Sequence, residues 1–425
     1  MCGICGFTGY RQDQKTVIER MMKAIEHRGP DSEGSFCREK ITLGFRRLSI
    51  IDLEDGQQPM ESADGNLHIV FNGEIYDYKE LRAELEAFGI SFCTHSDTEV
   101  LINTIQQYGE KALDKLRGMF GFAVWNEKEQ TLMLARDFFG IKPVYYAEID
   151  GHFVFASEIK SILAFPGYER KVNQKALEQY LSFQYAPLEE TFFKGIYKLM
   201  PGHMLLYKNG NYEIKTYFKT KLTPGKWNRK TNMDQLRSQL AEILKDSVKH
   251  HMLSDVEVGA FLSGGVDSGY LASASGADQA FTVGFDEGDR YSEVNKAAKV
   301  AEKAGLKHHV KIISKQEFWD ALPDVMYHMD EPLGDASAVA LYFLSKEAAG
   351  HVKVVLSGEG ADELFGGYNI YREPEALKKV AWIPFVLRRA VRKLAAKLPD
   401  VKGRDFLIRA GMKVEERFIG NAYIY

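Results

Sequence analysis

The hydrophobic segments of this chain change rhythm near its midpoint, and a single small domain cannot accommodate both rhythms. Up to about residue 207, short apolar runs follow one another at 3–10, 41–51, 67–75, 120–125, 132–136, 144–147 and 153–156, with turn residues between them. Stretches 15–27, 81–88 and 99–116 carry helical spacing instead; Val17, Ile18, Met21, Met22 and Ile25 mark the first. Runs of strands with a few helices outside them predict an α+β layered domain. From residue 233 the pattern alternates: helix 233–250, strand 256–262, a helix from Ser268, strand 281–285, helix 293–304, strand 309–313, helices 317–328 and 338–349, and strand 352–356. Alternation of this kind predicts an open parallel sheet, whose ligands lie beyond the carboxyl ends of its strands. Residues 208–232, rich in Lys, Asn, Thr, Gly and Pro, read as the linker between domains at 1–207 and 233–425.

Composition excludes several classes. At 45% hydrophobic and 27% charged residues, the 425-residue chain can build ordinary cores. A net charge of −4 gives no global basic excess for nucleic acid. No apolar run has bilayer-spanning length and no basic-then-apolar signal opens the chain, so a cytoplasmic protein without membrane partners is expected. The basic stretch 386–397 reads as a solvated helix face, in preference to a membrane-surface helix. Cys2 and Cys5 have C-x-x-C spacing, but Cys37 and Cys93 are isolated, which argues against zinc. Cys5 is expected as a small buried residue of the first strand.

Cys2 has a second reading. Loss of Met1 would place a thiol (pKa about 8.5) and a free amine (about 8) on one residue, so the amine could serve as base for its own nucleophile. A small residue that only permits Met1 trimming is the plainer alternative.

Two glycine loops follow strands of the second half. Ser263-Gly264-Gly265-Val266-Asp267-Ser268 opens a helix; its backbone N–H groups, serine hydroxyls and helix N-terminus suit phosphate oxygens. It lacks the Gly-Lys-Ser/Thr ending of a Walker loop and resembles the pyrophosphate-binding loop of enzymes that split ATP into AMP and pyrophosphate. Asp267 would help to hold Mg²⁺. A tight turn with Ser268 as N-cap is the competing reading. In the second loop, Ser357 to Tyr368, Glu359 could take protons from an attacking amine and Asp362 could be a second Mg²⁺ ligand, while acidic residues in a helix's first turn would explain Asp362 and Glu363 alone.

Five further motifs occur in order: Met1-Cys2-Gly3-Ile4-Cys5-Gly6, His27-Arg28-Gly29-Pro30-Asp31, Arg46 to Asp52, Asn72-Gly73-Glu74-Ile75-Tyr76 and Ser96-Asp97-Thr98-Glu99. The series resembles the class II glutamine amidotransferase domain. Together with the two glycine loops, it resembles the glutamine-hydrolysing asparagine synthetase family over essentially the whole chain. That resemblance implies an N-terminal-nucleophile αββα sandwich followed by a Rossmann-like ATP-pyrophosphatase domain, expected to be incomplete at its C-terminal end. It implies that Cys2 attacks the glutamine side-chain amide, that Asn72 and Gly73 form the oxyanion hole, and that Arg47, Leu48, Ile50, Glu74 and Asp97 bind glutamine. Asp97 as a helix N-cap is the rival reading, and His27 and Arg28 are expected to be structural. ATP falls to Leu262, Ser263, Gly264, Gly265, Asp267, Ser268, Val283, Ser357 and Gly358. Aspartate would form β-aspartyl-AMP, and ammonia guided by Glu359 would displace AMP. The acidic stretch 330–335 either borders the aspartate site or is a solvated loop.

The chain also departs from the family's pattern. It ends at Tyr425 without the closing part that supplies a catalytic lysine, and Glu257, Asp77 and Phe138 replace commoner residues. The alternatives are amidation of another carboxylate, or a truncated relative with only glutaminase or a non-catalytic role. A homodimer is a candidate assembly, as among the relatives.

Overall fold

The computed structural model describes residues 1–221, 232–286, 293–413 and 416–417. Residues 1–357 form one compact unit and residues from 358 onward a second.

Twelve strands fill the first half: β1 (Gly3–Thr8), β2 (Ser32–Cys37), β3 (Ile41–Arg47), β4 (Met60–Glu61), β5 (Leu67–Ile75), β6 (Gly118–Asn126), β7 (Thr131–Arg136), β8 (Tyr145–Ile149), β9 (His152–Ala156), β10 (Ile196–Lys198), β11 (His203–Lys208) and β12 (Asn211–Thr216). They make two antiparallel sheets, ordered β10-β8-β9-β1-β3-β2 and β12-β11-β7-β6-β5-β4. Side chains alternate across each strand, so both sheets have two distinct faces. Ile4, Leu43, Phe45, Phe153 and Phe155 of one sheet meet Val70, Ala123, Trp125, Leu134 and Leu205 of the other in the middle layer. The opposite parity of the first sheet, Cys5 and Phe7 included, packs under α1 (Gln14–Ala24) and α4 (Ile159–Leu163). Ile69, Phe71, Phe120 and Phe122 of the second pack under α2 (Tyr78–Ala87) and α3 (Asp97–Tyr108). The layers therefore run helix, sheet, sheet, helix, as expected.

The strand that differs most from expectation is β12. It lies inside the stretch read as linker, yet pairs residue by residue with β11, His203 opposite Thr216. Asn209 and Gly210 make the turn with positive φ, 50° and 81°, a two-residue hairpin signal. The first sheet system thus extends through Thr216, and 222–231 of the expected linker lies outside the described residues. Also unanticipated are α5 (Gln174–Phe183) and β2, an edge strand reading Ser-Glu-Gly-Ser-Phe-Cys with few apolar residues.

The second half of the unit is a parallel sheet, ordered β15 (Lys307–Ile313), β14 (Gln279–Phe285), β13 (Val258–Phe261), β16 (Val354–Leu356). Helix α6 (Met233–His251) precedes it. One face presents Ala260 and Ala280 to Ala272 of α7 (Val266–Ser275) and to Ala297 and Ala301 of α8 (Val294–Ala304), where small side chains let helix and sheet approach closely. The other presents Phe261 and Phe281 to Leu344 and Ala348. These belong to α10 (Ser337–Ala349), which follows α9 (Lys315–Met329).

Polar contacts join the two halves. Asp255 N–H donates to the Ile50 carbonyl at 2.9 Å, and Asp52 N–H to the Asp255 carboxylate at 2.8 Å. Lys353 pairs with Asp31 at 2.7 Å, and Lys160 with Asp330 at 3.0 Å. Phe192 N–H donates to Glu331 at 2.8 Å. Asp330 and Glu331 are thus tied to the first half and do not belong to a solvated loop.

In the second unit, α11 (Ala361–Phe365) and α12 (Glu373–Lys378) precede the paired helices α13 (Phe385–Ala395) and α14 (Arg404–Ala410). The Arg388 guanidinium donates to the Ala410 carbonyl at 3.1 Å across that pair.

A test of the packing lies at Gly6 in β1, where a Cβ would stand 2.6 Å from both the Thr42 carbonyl oxygen and the Phe155 ring. Gly6→Ala should cost about 1–3 kcal/mol, as overpacking does, measured as a lower urea midpoint followed by tryptophan fluorescence.

Candidate active site

Cys2 directly precedes β1, so the register of that strand fixes where the thiol stands. Its Sγ accepts from the Leu48 N–H at 3.4 Å and donates to the Leu48 carbonyl at 3.6 Å. Arg28 Nε donates to the Cys2 carbonyl at 2.9 Å. Burial pushes the thiol pKa up, against the Leu48 hydrogen bond and nearby cations. Met1 is attached in this structure, so the neighbouring amine belongs to it; burial lowers that amine to about 5, with Arg28 and Lys142 acting in the same direction.

Across the middle layer β5 carries Asn72, Gly73 and Glu74. By alternation Asn72 and Glu74 share the face of Val70, the one packed toward β1. Asn72 is 1% exposed and its Nδ2 has no hydrogen-bond partner among the described residues. At Gly73 a Cβ would meet the Met119 carbonyl oxygen at 2.2 Å, so β6 leaves no room for a side chain. Glu74 is buried, and desolvation raises its pKa to about 7; Lys142 opposes and Asp97 reinforces the shift. Asp97 is raised to about 6, again mainly by burial.

Asp97 is not the helix cap. Ser96 is the N-cap of α3 and accepts from the Thr98 N–H at 3.1 Å, whereas the Asp97 carboxylate accepts from the Ile75 N–H at 3.1 Å at the end of β5. Arg47 is 4% exposed and donates to the carbonyls of Ile51, Asp52 and Leu53 at 3.4, 2.5 and 3.3 Å, which curls the segment after Leu48 and Ile50 around its guanidinium.

Sequence reasoning missed Lys142, which is 6% exposed and donates to the Met1 Sδ at 3.2 Å. Desolvation lowers its pKa, and Glu74 acts in the opposite sense. Its loop is tied from both sides. The Asp137 carboxylate accepts from the N–H groups of Phe120, Phe139, Ile141 and Lys142, while Arg136 donates to the carbonyls of Gly140, Lys142 and Leu199. The available signal was a lone lysine within Ile141-Lys142-Pro143-Val144, just before a buried strand.

Arg28 also belongs here, beyond a purely structural loop. It pairs with Glu158 at 2.8 Å; that carboxylate also takes His27 at 3.0 Å and Lys160. Its pKa stands far below the ordinary range: burial would raise it, but His27, Arg28 and Lys160 together outweigh burial.

In the second half, the Ser263–Ser268 loop leaves β13 and opens α7. Gly264 has φ +78°, and a Cβ there would meet the Ala297 backbone nitrogen at 2.7 Å, so glycine is required twice over. Ser268 does not cap α7; Gly265 is the N-cap, and the Ser268 hydroxyl bonds to that of Ser263 at 2.9 Å. Asp267 lies in the first turn of α7, its carboxylate without a partner among the described residues. Leu262 is buried, Val283 half-buried and Ser357 exposed. Gly358, Glu359 and Asp362 belong to the second compact unit. There Gly360 caps α11 in the left-handed region, Asp362 and Glu363 occupy its first turn, and Glu363 accepts from the Tyr368 hydroxyl at 2.9 Å.

Comparison with known proteins gives two family matches: glutamine amidotransferase domain over residues 1–218, and asparagine synthase over residues 239–415. Asparagine synthetase [glutamine-hydrolyzing] 1 of Bacillus subtilis is 44% identical, covering 99% of this chain and 68% of the relative. A putative asparagine synthetase of Mycobacterium tuberculosis is 38% identical over 99% of this chain and 69% of its own. A second putative one, from Methanocaldococcus jannaschii, is 33% identical over 95% and 82%.

The raised carboxylates make a stability prediction. Glu74 holds its proton more tightly folded than unfolded, so stability falls as pH rises from about 4.5 through about 7. Glu74→Gln should therefore be more stable than the parent at pH 8, by about 1–3 kcal/mol, with the difference vanishing near pH 4 in denaturant titrations.

Proposed function

Since the chain belongs to the glutamine-hydrolysing asparagine synthetase family, we propose that it makes asparagine from aspartate, with glutamine as nitrogen donor and ATP as activating substrate. The glutaminase chemistry is assigned to the first domain and the synthetase chemistry to the part that follows.

The observation that carries the glutaminase half is Asn72, whose buried Nδ2 has no partner among the described residues. An unsatisfied buried donor costs about 1–3 kcal/mol, and a developing oxyanion supplies the missing acceptor. Once Met1 is removed, the amine beside the thiol is that of Cys2. That amine takes the thiol proton as Sγ attacks the glutamine amide carbon. The tetrahedral intermediate, held by Asn72 and the Gly73 N–H, expels ammonia with that proton and leaves a thioester, which water converts to glutamate.

Buried, reluctant carboxylates at Glu74 and Asp97 suit a ligand ammonium: its charge pays for the ionisation that burial opposes. Arg47 takes the α-carboxylate, which competes with the loop carbonyls for its donors, and Leu48 and Ile50 complete the pocket wall.

In the synthetase half, the exposed serine-glycine turn at the start of α7 fits phosphate oxygens. Leu262, Ser263, Gly264, Gly265, Ser268, Val283, Ser357 and Gly358 are the proposed ATP residues. The unpartnered Asp267 carboxylate suits Mg²⁺, with Asp362 as the second ligand; the ion would neutralise charge on the phosphates. The aspartate β-carboxylate attacks the α-phosphorus and pyrophosphate leaves. Ammonia then attacks the acyl carbon, AMP leaves, and Glu359 takes the proton released. We assign the enzyme to the cytoplasm and to a homodimer.

A product assay with aspartate, ATP, Mg²⁺ and either glutamine or ammonia tests the reading. Cys2→Ala should abolish the glutamine-dependent reaction and leave the ammonia-dependent one; pyrophosphate release without asparagine, seen only with another acid, would replace aspartate as acceptor. Asn72→Ala should lower glutaminase kcat/KM by about 10²–10³-fold.

A further inference from the structure

Glu347 and His351 stand four residues apart at the end of α10, and His309 lies on the edge strand β15 beside them. One ligand atom from each lies within 4.8 Å of the others. Glu347 Oε1 and His351 Nε2 are 3.8 Å apart, and the two imidazole centroids 4.0 Å apart. Around a tetrahedral zinc ion, bonds of about 2.0–2.2 Å put ligand atoms roughly 3.3 Å apart. The contraction needed is small for side chains that are 35% and 33% exposed at His351 and Glu347.

A relay behind His309 orients it. Gln279 Nε2 donates to Glu257 Oε1 at 2.6 Å, which turns the amide oxygen of Gln279 toward His309 Nε2 at 2.9 Å. That oxygen can only accept, so Nε2 carries the proton and Nδ1 keeps its lone pair. Metal-binding histidines are ordinarily held this way, through the ring nitrogen that does not bind the ion.

We infer that His309, Glu347 and His351 form a binding site for a divalent transition-metal ion, Zn²⁺ by ligand type, with His309 coordinating through Nδ1 and water completing the shell. Two imidazoles and one carboxylate suit Zn²⁺ far better than Mg²⁺. The site lies on the sheet face covered by α10, where His309 is level with Phe281, and α7 with its serine-glycine loop packs on the other face. Its role is therefore to pin the edge strand β15 to the end of α10, apart from the nucleotide chemistry.

The test is a Zn²⁺ titration of the metal-free full chain by calorimetry, with Co²⁺ absorption as a second probe of coordination. One equivalent should bind and raise the melting temperature. His309→Ala and His351→Ala should each abolish both effects while retaining the ammonia-dependent reaction of the second half, which shows that the variants fold there. Gln279→Leu, which touches no ion, should weaken binding about 10–100-fold. Absence of Zn²⁺ binding, or binding unchanged in the His309→Ala/His351→Ala double variant, overturns the proposal.

Discussion

The structure of the first half depends on the burial of β1 between two partner strands. All six of its residues are buried, and it pairs with β3 on one side and β9 on the other. A chain terminus is ordinarily the part most free to fray. Here it becomes the centre of a sheet, and the residue before it inherits that order. Cys2 and Ile4 share the parity of the middle layer, whereas Cys5 faces α1. The C-x-x-C spacing is thus split between two faces, so neither cysteine is available to the other as a metal or disulfide partner.

Around that fixed point the site combines two kinds of cost. Asn72 withholds a hydrogen bond, and Glu74, Asp97 and Lys142 are charged groups taken out of water. Each is unfavourable alone. The β5–β6 pairing and the anchored loop at 136–142 hold Asn72, Glu74 and Lys142 in place regardless, without reorganisation. Such preorganisation is what makes fixed dipoles effective in catalysis.

Much of this was legible in the residues. The run 67–75 became β5 with the same bounds, because its apolar start Leu67 to Phe71 and the turn residues around it suit a buried strand. The alternation after 233 likewise gave the parallel sheet. Strand β2 was not legible, since an edge strand with one covered face needs few apolar residues. β12 was hidden by the bias of its region toward linker-like residues, although Asn209-Gly210 announced the hairpin. Cys2, Asn72 and Glu74 stood out in the sequence through their motifs, and the structure places Asn72 and Glu74 on the β5 face that packs toward β1. Lys142 and Glu158 did not stand out, because their importance comes from neighbours over a hundred positions away in the chain, such as Met1 and Arg28. The exchange of roles between Ser96 and Asp97 was similarly invisible: either side chain can cap a helix, and only the end of β5 decides which does.

The Glu158 carboxylate has a further consequence. It is shared between Arg28, which holds the Cys2 carbonyl, and Lys160, which also holds Asp330 of the second half. With Asp330 in place, the charge of Lys160 is divided between two carboxylates. Drawing Asp330 away would turn that charge wholly onto Glu158 and weaken the claim of Arg28 on it. A continuous run of charged contacts thus leads from Asp330 through Lys160, Glu158 and Arg28 to the peptide carbonyl of Cys2.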